Sequence, residues 1–308
     1  MNTRNEKTGY LLVFIAGTFW GLIGIFVKSM AACGASATMT SFLRVFFAFL
    51  IMLVLCLVKC KPHDLLIGWK PLLSCALLGV LCHGVYNICY SIAVTTIGVA
   101  LSAVLLDIAP LFTLLFSVLF FQEKVTFLKG IAVIINIIGC ILTVTNGKLE
   151  IQSLALFGLL MGVGAGFLYA LTAIIGRVAA ENTHPFVMSM YSYFFAAIFL
   201  CISMGVSRAK FTFNTGILFW GFFYALIPTA IGYIFYYEGL KHITESSKVP
   251  VIASMEVIVA SLIGVVWYRE HLRFISFLGI VAVLLSIVLM NQKAENALQT
   301  ENAAAESL

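Results

Sequence analysis

Residues 16–28 read AGTFWGLIGIFVK, and residues 165–177 read AGFLYALTAIIGR. Both stretches set an aromatic residue (Trp20, Tyr169) three positions after a glycine and a basic residue (Lys28, Arg177) eight positions later. Outward from these stretches the correspondence continues. Phe46-Phe47-Ala48 is echoed by Phe194-Phe195-Ala196. The interval from Tyr90 to Glu123 equals the interval from Tyr237 to Glu270. Each match is weak alone. Their common order, at a nearly constant offset along the chain, reads as two copies of one plan.

The copies lie in a chain of 308 residues, 62% hydrophobic and 10% charged, with mean hydropathy +1.09. A water-soluble domain carries about 25% charged residues, so this chain has too little polar surface to cover a soluble globule, and lipid must solvate much of it. The net charge of +5 does not point to nucleic acid, because the basic residues are scattered between apolar runs. The eight cysteines mostly fall inside those runs and form no CxxC pair, so they read as small apolar helix residues.

Ten apolar runs are long enough to cross a bilayer as helices: 9–31, 37–58, 71–94, 97–121, 126–146, 154–177, 185–205, 215–238, 248–268 and 273–291. Continuous apolarity favours helices over the alternating strands of a barrel. Ala35-Ser36-Ala37 resembles a signal-peptidase site, but run 9–31 is long for a signal sequence and has a counterpart in the second copy. It reads as a retained helix. With the N-terminus placed in the cytoplasm, eleven Lys and Arg fall on the cytoplasmic side and six outside, which favours both termini inside.

The expected organisation is therefore all-α and integral to the membrane. A first five-helix repeat occupies residues 1–147, a second residues 148–291, and a polar tail, expected to be disordered, residues 292–308. Five is odd, so tandem repeats sit upside down relative to each other. Halves related in this way can rock about a site between them.

Several polar residues interrupt the runs, and intramembrane charge is normally placed against a cavity or a partner. Arg44, Asp107 and Glu256 are expected to form ion pairs or to couple transport to protons. Trp20, His83, Tyr86, Asn87, Tyr169 and Tyr233 are the expected cavity wall. His83, Tyr86, Asn87 and Tyr90 share one helical face by their spacing. Pro110 and Pro228 fall inside helices and are candidate hinges. Gly158, Gly162 and Gly166 form a small-residue stripe suited to close packing. Glu123 and Glu270 read as acids favoured by the N-terminal dipoles of the helices that follow them.

These residues resemble the drug/metabolite transporter superfamily, specifically its EamA-type members, over most of the chain. The resemblance rests on Trp20-Gly21 with Lys28, on Arg44 early in the second helix, on Ala109-Pro110 followed by Phe121-Gln122-Glu123, and on Met255-Glu256-Val257 followed by Tyr268-Arg269-Glu270 with Gly279. Val257 replaces the family's usual Pro, and Gln122 and Arg269 replace its Gly. The resemblance implies a secondary transporter that exports a small amphipathic metabolite such as an amino acid, with uptake as the alternative.

The expected partners are a small-molecule substrate, membrane lipid and protons. Nucleic acid is not among them, and no cofactor or metal is called for. No GxxxxGK[ST], HExxH or GxSxG motif is present, so neither ATP-driven transport nor catalysis is expected of this chain. Oligomeric state is not legible in the sequence.

Overall fold

A computed structural model describes residues 3–97, 99–146, 156–206, 214–269, 271 and 273–291. Residues 292–308, read above as a polar tail, lie outside the described residues, as does Glu270. Among the described residues the chain forms ten apolar helical spans and no strand.

The first half comprises α1 (Thr3–Gly21 and Ile23–Ala32), α2 (Ala37–Lys59), α3 (Trp69–Leu77, Leu78–Val85 and Tyr86–Ile97), α4 (Val99–Leu106 and Ala109–Phe121) and α5 (Phe127–Thr145). The second half comprises α6 (Leu156–Asn182), α7 (Pro185–Val206), α8 (Thr215–Tyr224, Ala225–Ile231 and Gly232–His242), α9 (Val249–Ala253 and Met255–Tyr268) and α10 (Phe274–Asn291). Nine spans are 19–29 residues long, and Phe274–Met290 is a shorter tenth. Span boundaries are set by local chemistry. Ser36, Thr126 and Asn214 cap α2, α5 and α8 by accepting the amides of Met39, Lys129 and Ile217.

The repeat extends to the irregularities. The middle of α3 (Leu78–Val85) and the middle of α8 (Ala225–Ile231) are both π-helical. They start at equivalent positions, separated by the same offset as Tyr90 and Tyr237. The breaks in α4 at Asp107 and in α9 at Ser254 share that offset as well. Both α4 and α9 end in a left-handed residue, Gln122 (φ 53°) and Arg269 (φ 55°).

The halves interlock. The most extensive helix contacts are α5 with α10, α2 with α7, α1 with α8 and α3 with α6. All four cross between halves, and exchanging the halves returns the same set. Small residues permit the closest approaches. A Cβ on Gly139 of α5 would lie 2.9 Å from the Gly279 carbonyl, and one on Gly279 would lie 2.7 Å from the Gly139 carbonyl. The glycine stripe of α6 packs within the bundle, with Gly162 against the Leu105 side chain and Gly166 against the Leu105 carbonyl. Leu57, Leu119, Ile134, Leu160, Ile202 and Trp267 point outward from six different helices, as a lipid-facing shell requires.

Candidate functional site: a cavity between the halves

A cavity of about 450 Å³ lies where the two halves meet, a volume suited to a small organic ligand. Its wall takes Trp20, Arg44, Tyr86, Tyr90, Asp107, Tyr169, Tyr233 and Glu256 from both halves. At one end it reaches Asn146, exposed His271 and Ser276 beside the α9–α10 turn.

The repeat brings equivalent aromatics into contact. The rings of Trp20 and Tyr169 meet edge-on at 6.5 Å, and Trp20 also packs on Tyr233 at 4.8 Å. Tyr86 stacks on Tyr169 at 6.0 Å and on Tyr90 at 6.1 Å. Glu256 accepts a hydrogen bond from the Tyr169 hydroxyl (3.4 Å). Asp107 sits at the break of α4 and reaches both this cavity and a smaller polar pocket behind it, beside Asn136 and Ser254. There the Asn136 amide donates to the hydroxyls of Ser254 (2.7 Å) and Ser286 (3.0 Å), which joins α5, α9 and α10. Arg44 donates to the Tyr224 hydroxyl at 3.5 Å, with its guanidinium 5.5 Å from that ring.

Seven of the nine residues singled out from sequence as cavity or charge sites thus gather with Tyr90 at one place, and two do not. His83 and Asn87 are absent from the cavity wall. His83, 1% exposed, sits behind Tyr233 with its ring 4.9 Å from that tyrosine, and its Nε2 lies 3.3 Å from the Tyr237 hydroxyl. Asn87 donates to the His83 carbonyl and accepts from the Ser41 hydroxyl (3.3 Å). The spacing that puts these residues on one face assumes α-helical periodicity. His83 lies inside the π-helical stretch, whose wider turn takes it off the face carried by Tyr86 and Tyr90.

Tyr90 belongs to the wall although its place near a helix end suits an interfacial belt. The interval it shares with Tyr237, each to its following Glu, is the available signal in the sequence. Asn146, His271 and Ser276 carry none. Pro110 opens the second segment of α4 just beyond the break, and Pro228 lies within the π-helical stretch of α8. The Tyr224 carbonyl, four residues before Pro228, also accepts the Thr229 hydroxyl (3.0 Å).

The end of the bundle away from His271 is tied shut across the two halves. Glu123, in the α4–α5 turn, accepts Arg177 of α6 (2.9 Å), the Ser246 amide (2.7 Å), the Ser247 amide (3.3 Å) and the Ser247 hydroxyl (2.8 Å). Its carboxylate therefore serves the N-terminus of α9 rather than that of α5, which corrects the sequence reading of this residue. The dipole argument is sound, but tertiary contact chooses the helix. Beside it Glu245 bridges Lys129 (2.8 Å) and Lys248 (2.6 Å). Lys248 also reaches the Tyr10 hydroxyl (3.3 Å), and Thr244 donates to Glu6. Partial burial works to raise the Glu245 carboxyl's pKa, but the hydrogen bonds and charges of Lys129 and Lys248 outweigh it and hold the group below its ordinary value.

A model of the EamA-like transporter family matches residues 7–145 and 156–292, one stretch in each half. An uncharacterized transporter of Archaeoglobus fulgidus is 24% identical, covering 93% of this chain and 97% of its own length. The uncharacterized transporter YwfM of Bacillus subtilis is 26% identical over 91% of this chain and 93% of its own. The pseudopaline exporter CntI of Pseudomonas aeruginosa is 24% identical over 77% of this chain and 79% of its own. One solved crystal structure superposes with a TM-score of 0.79 at 13% identity, covering 92% of this chain and 97% of the other.

Proposed function

Because this chain belongs to the EamA-like transporter family and is a multi-pass membrane transporter, we propose that it carries a small organic metabolite by alternating access at the cavity between its halves. The observation that carries this reading is the cavity itself. It is polar and aromatic, enclosed by an apolar-faced bundle, reaches the surface at one end and is faced at the other by ion pairs that join the halves. A continuous channel would need no such tie.

In the expected orientation, with both termini in the cytoplasm of a cell-membrane protein, the cavity faces outward and the Glu123–Arg177 and Glu245 ties close the cytoplasmic end. Rocking of one half against the other would break these ties and close the wall near His271. Pro110 and Pro228, at the irregular points of α4 and α8, are the hinges in this scheme. The likeness to a pseudopaline exporter favours export as the direction. Asp107 and Glu256 share the cavity, and two intramembrane carboxylates at a substrate site suit proton exchange with the substrate.

The test has two stages. A thermal-shift screen of purified protein against metabolites identifies a stabilising compound. Proteoliposomes preloaded with that compound are then given labelled compound outside. Uphill, saturable uptake by counterflow is expected of a carrier, whereas flux that stays linear with concentration overturns the reading. Asp107→Asn and Glu256→Gln together should abolish accumulation driven by a pH gradient yet leave counterflow measurable. Undiminished pH-driven accumulation would remove proton coupling and leave the carrier.

A further inference from the structure

Arg44 is 6% exposed and lies on the cavity wall. Among the described residues no carboxylate forms an ion pair with it, whereas Arg177, Lys129 and Lys248 each hold one. Its Nε has no hydrogen-bond acceptor, and its bond to the Tyr224 hydroxyl is at the limit of hydrogen-bond length. A cation left this way in a lipid-shielded interior is uncompensated, a state that proteins otherwise avoid by pairing. Around it stand neutral hydroxyls and rings, and the cavity gives a ligand access. A guanidinium is a planar fork that fits a carboxylate with two parallel bonds.

Resting on the transporter reading above, we propose that Arg44 seats a carboxylate of the transported molecule. Trp20, Tyr86 and Tyr169 then receive an apolar or aromatic body. Asp107 and Glu256, also on the cavity wall, repel a second anion and accept an amine. The substrate class is a small compound with one carboxylate, with or without an amino group, and with no second acidic group.

Three probes share one phenyl body: 3-phenylpropionate, phenylalanine, which adds an amine, and phenethylamine, which keeps the amine but lacks the carboxylate. At saturating concentration the first two should raise the unfolding temperature of the purified full-length protein by about 2–4 °C, and phenethylamine should not. The shift should vanish in Arg44→Gln and persist, reduced, in Arg44→Lys. An equal shift with phenethylamine, a shift retained in Arg44→Gln, or no shift with any probe on the unmutated protein each overturns the carboxylate seat. Should Arg44→Gln not fold, the three-probe comparison on the unmutated protein decides alone. The two readings fail separately. Counterflow of a compound without a carboxylate, undiminished in Arg44→Gln, removes the seat and leaves the transporter. Carboxylate-dependent stabilisation without counterflow of either carboxylate probe does the reverse.

Discussion

Gln122 and Arg269 occupy the left-handed region at the ends of α4 and α9. A side chain there is strained by roughly 1–2 kcal/mol, which gives a physical reason for glycine at these positions in the family pattern. Gln122→Gly should therefore hold or raise the unfolding temperature, whereas β-branched Gln122→Val should lower stability by about 1–2 kcal/mol. Paired thermal melts in detergent would check both. Glu123, next in sequence, gathers a guanidinium, two amides and a hydroxyl. Glu123→Ala takes the carboxylate from two amides and a hydroxyl and leaves Arg177 only the Ser246 hydroxyl (3.0 Å), and should lower stability by about 3 kcal/mol. It should also make a cysteine placed near Ser246 react faster with an impermeant maleimide added on the side of the membrane where Glu123 lies. The sequence marks Glu123 through its spacing and its twin. It does not show which helix the carboxylate serves, because that depends on how the turns of two halves meet.

At the scale of elements, apolar length makes all ten spans legible. The interior of α3 is not, because a π-helical stretch has no residue signature in Leu78–Val85 comparable to a proline or a cap. One consequence can be measured. A π-helical turn holds about one residue more than an α-helical turn, so deleting a single residue between Leu78 and Val85 should let that stretch relax to an α-helix while Tyr86 and Tyr90 keep their face on the cavity. The deletion variant should still insert, fold and show ligand-induced stabilisation. The turn before α9 gives a pH prediction. Because the folded Glu245 pKa is depressed, its ties to Lys129 and Lys248 contribute fully above the unfolded value of about 4.3. The contribution fades as pH falls through the lower folded value. Maleimide access to the end of the bundle that carries Glu245 should accordingly rise in strongly acidic buffer, and Glu245→Gln should show that raised access already at neutral pH.

For the whole molecule, the weak internal echoes between residues 16–28 and 165–177 are enough to predict inverted halves and a chamber between them, because an odd number of spans leaves no other arrangement. What the echoes do not supply is the asymmetry of the chamber. Ser192, not a second arginine, stands at the repeat position of Arg44, and Glu256 corresponds to Ala109. Polarity therefore enters a symmetric frame from only some of its faces, and only the assembled fold shows which faces those are. The interlocking of the halves has one more implication. The repeat boundary divides the sequence but not the packing, since α1, α2, α3 and α5 each find their broadest partner across it. A chain severed between α5 and α6 should yield two fragments that are each degraded when made alone. Synthesised together in the same membrane, they should find each other and restore a particle that co-purifies through a tag on either one.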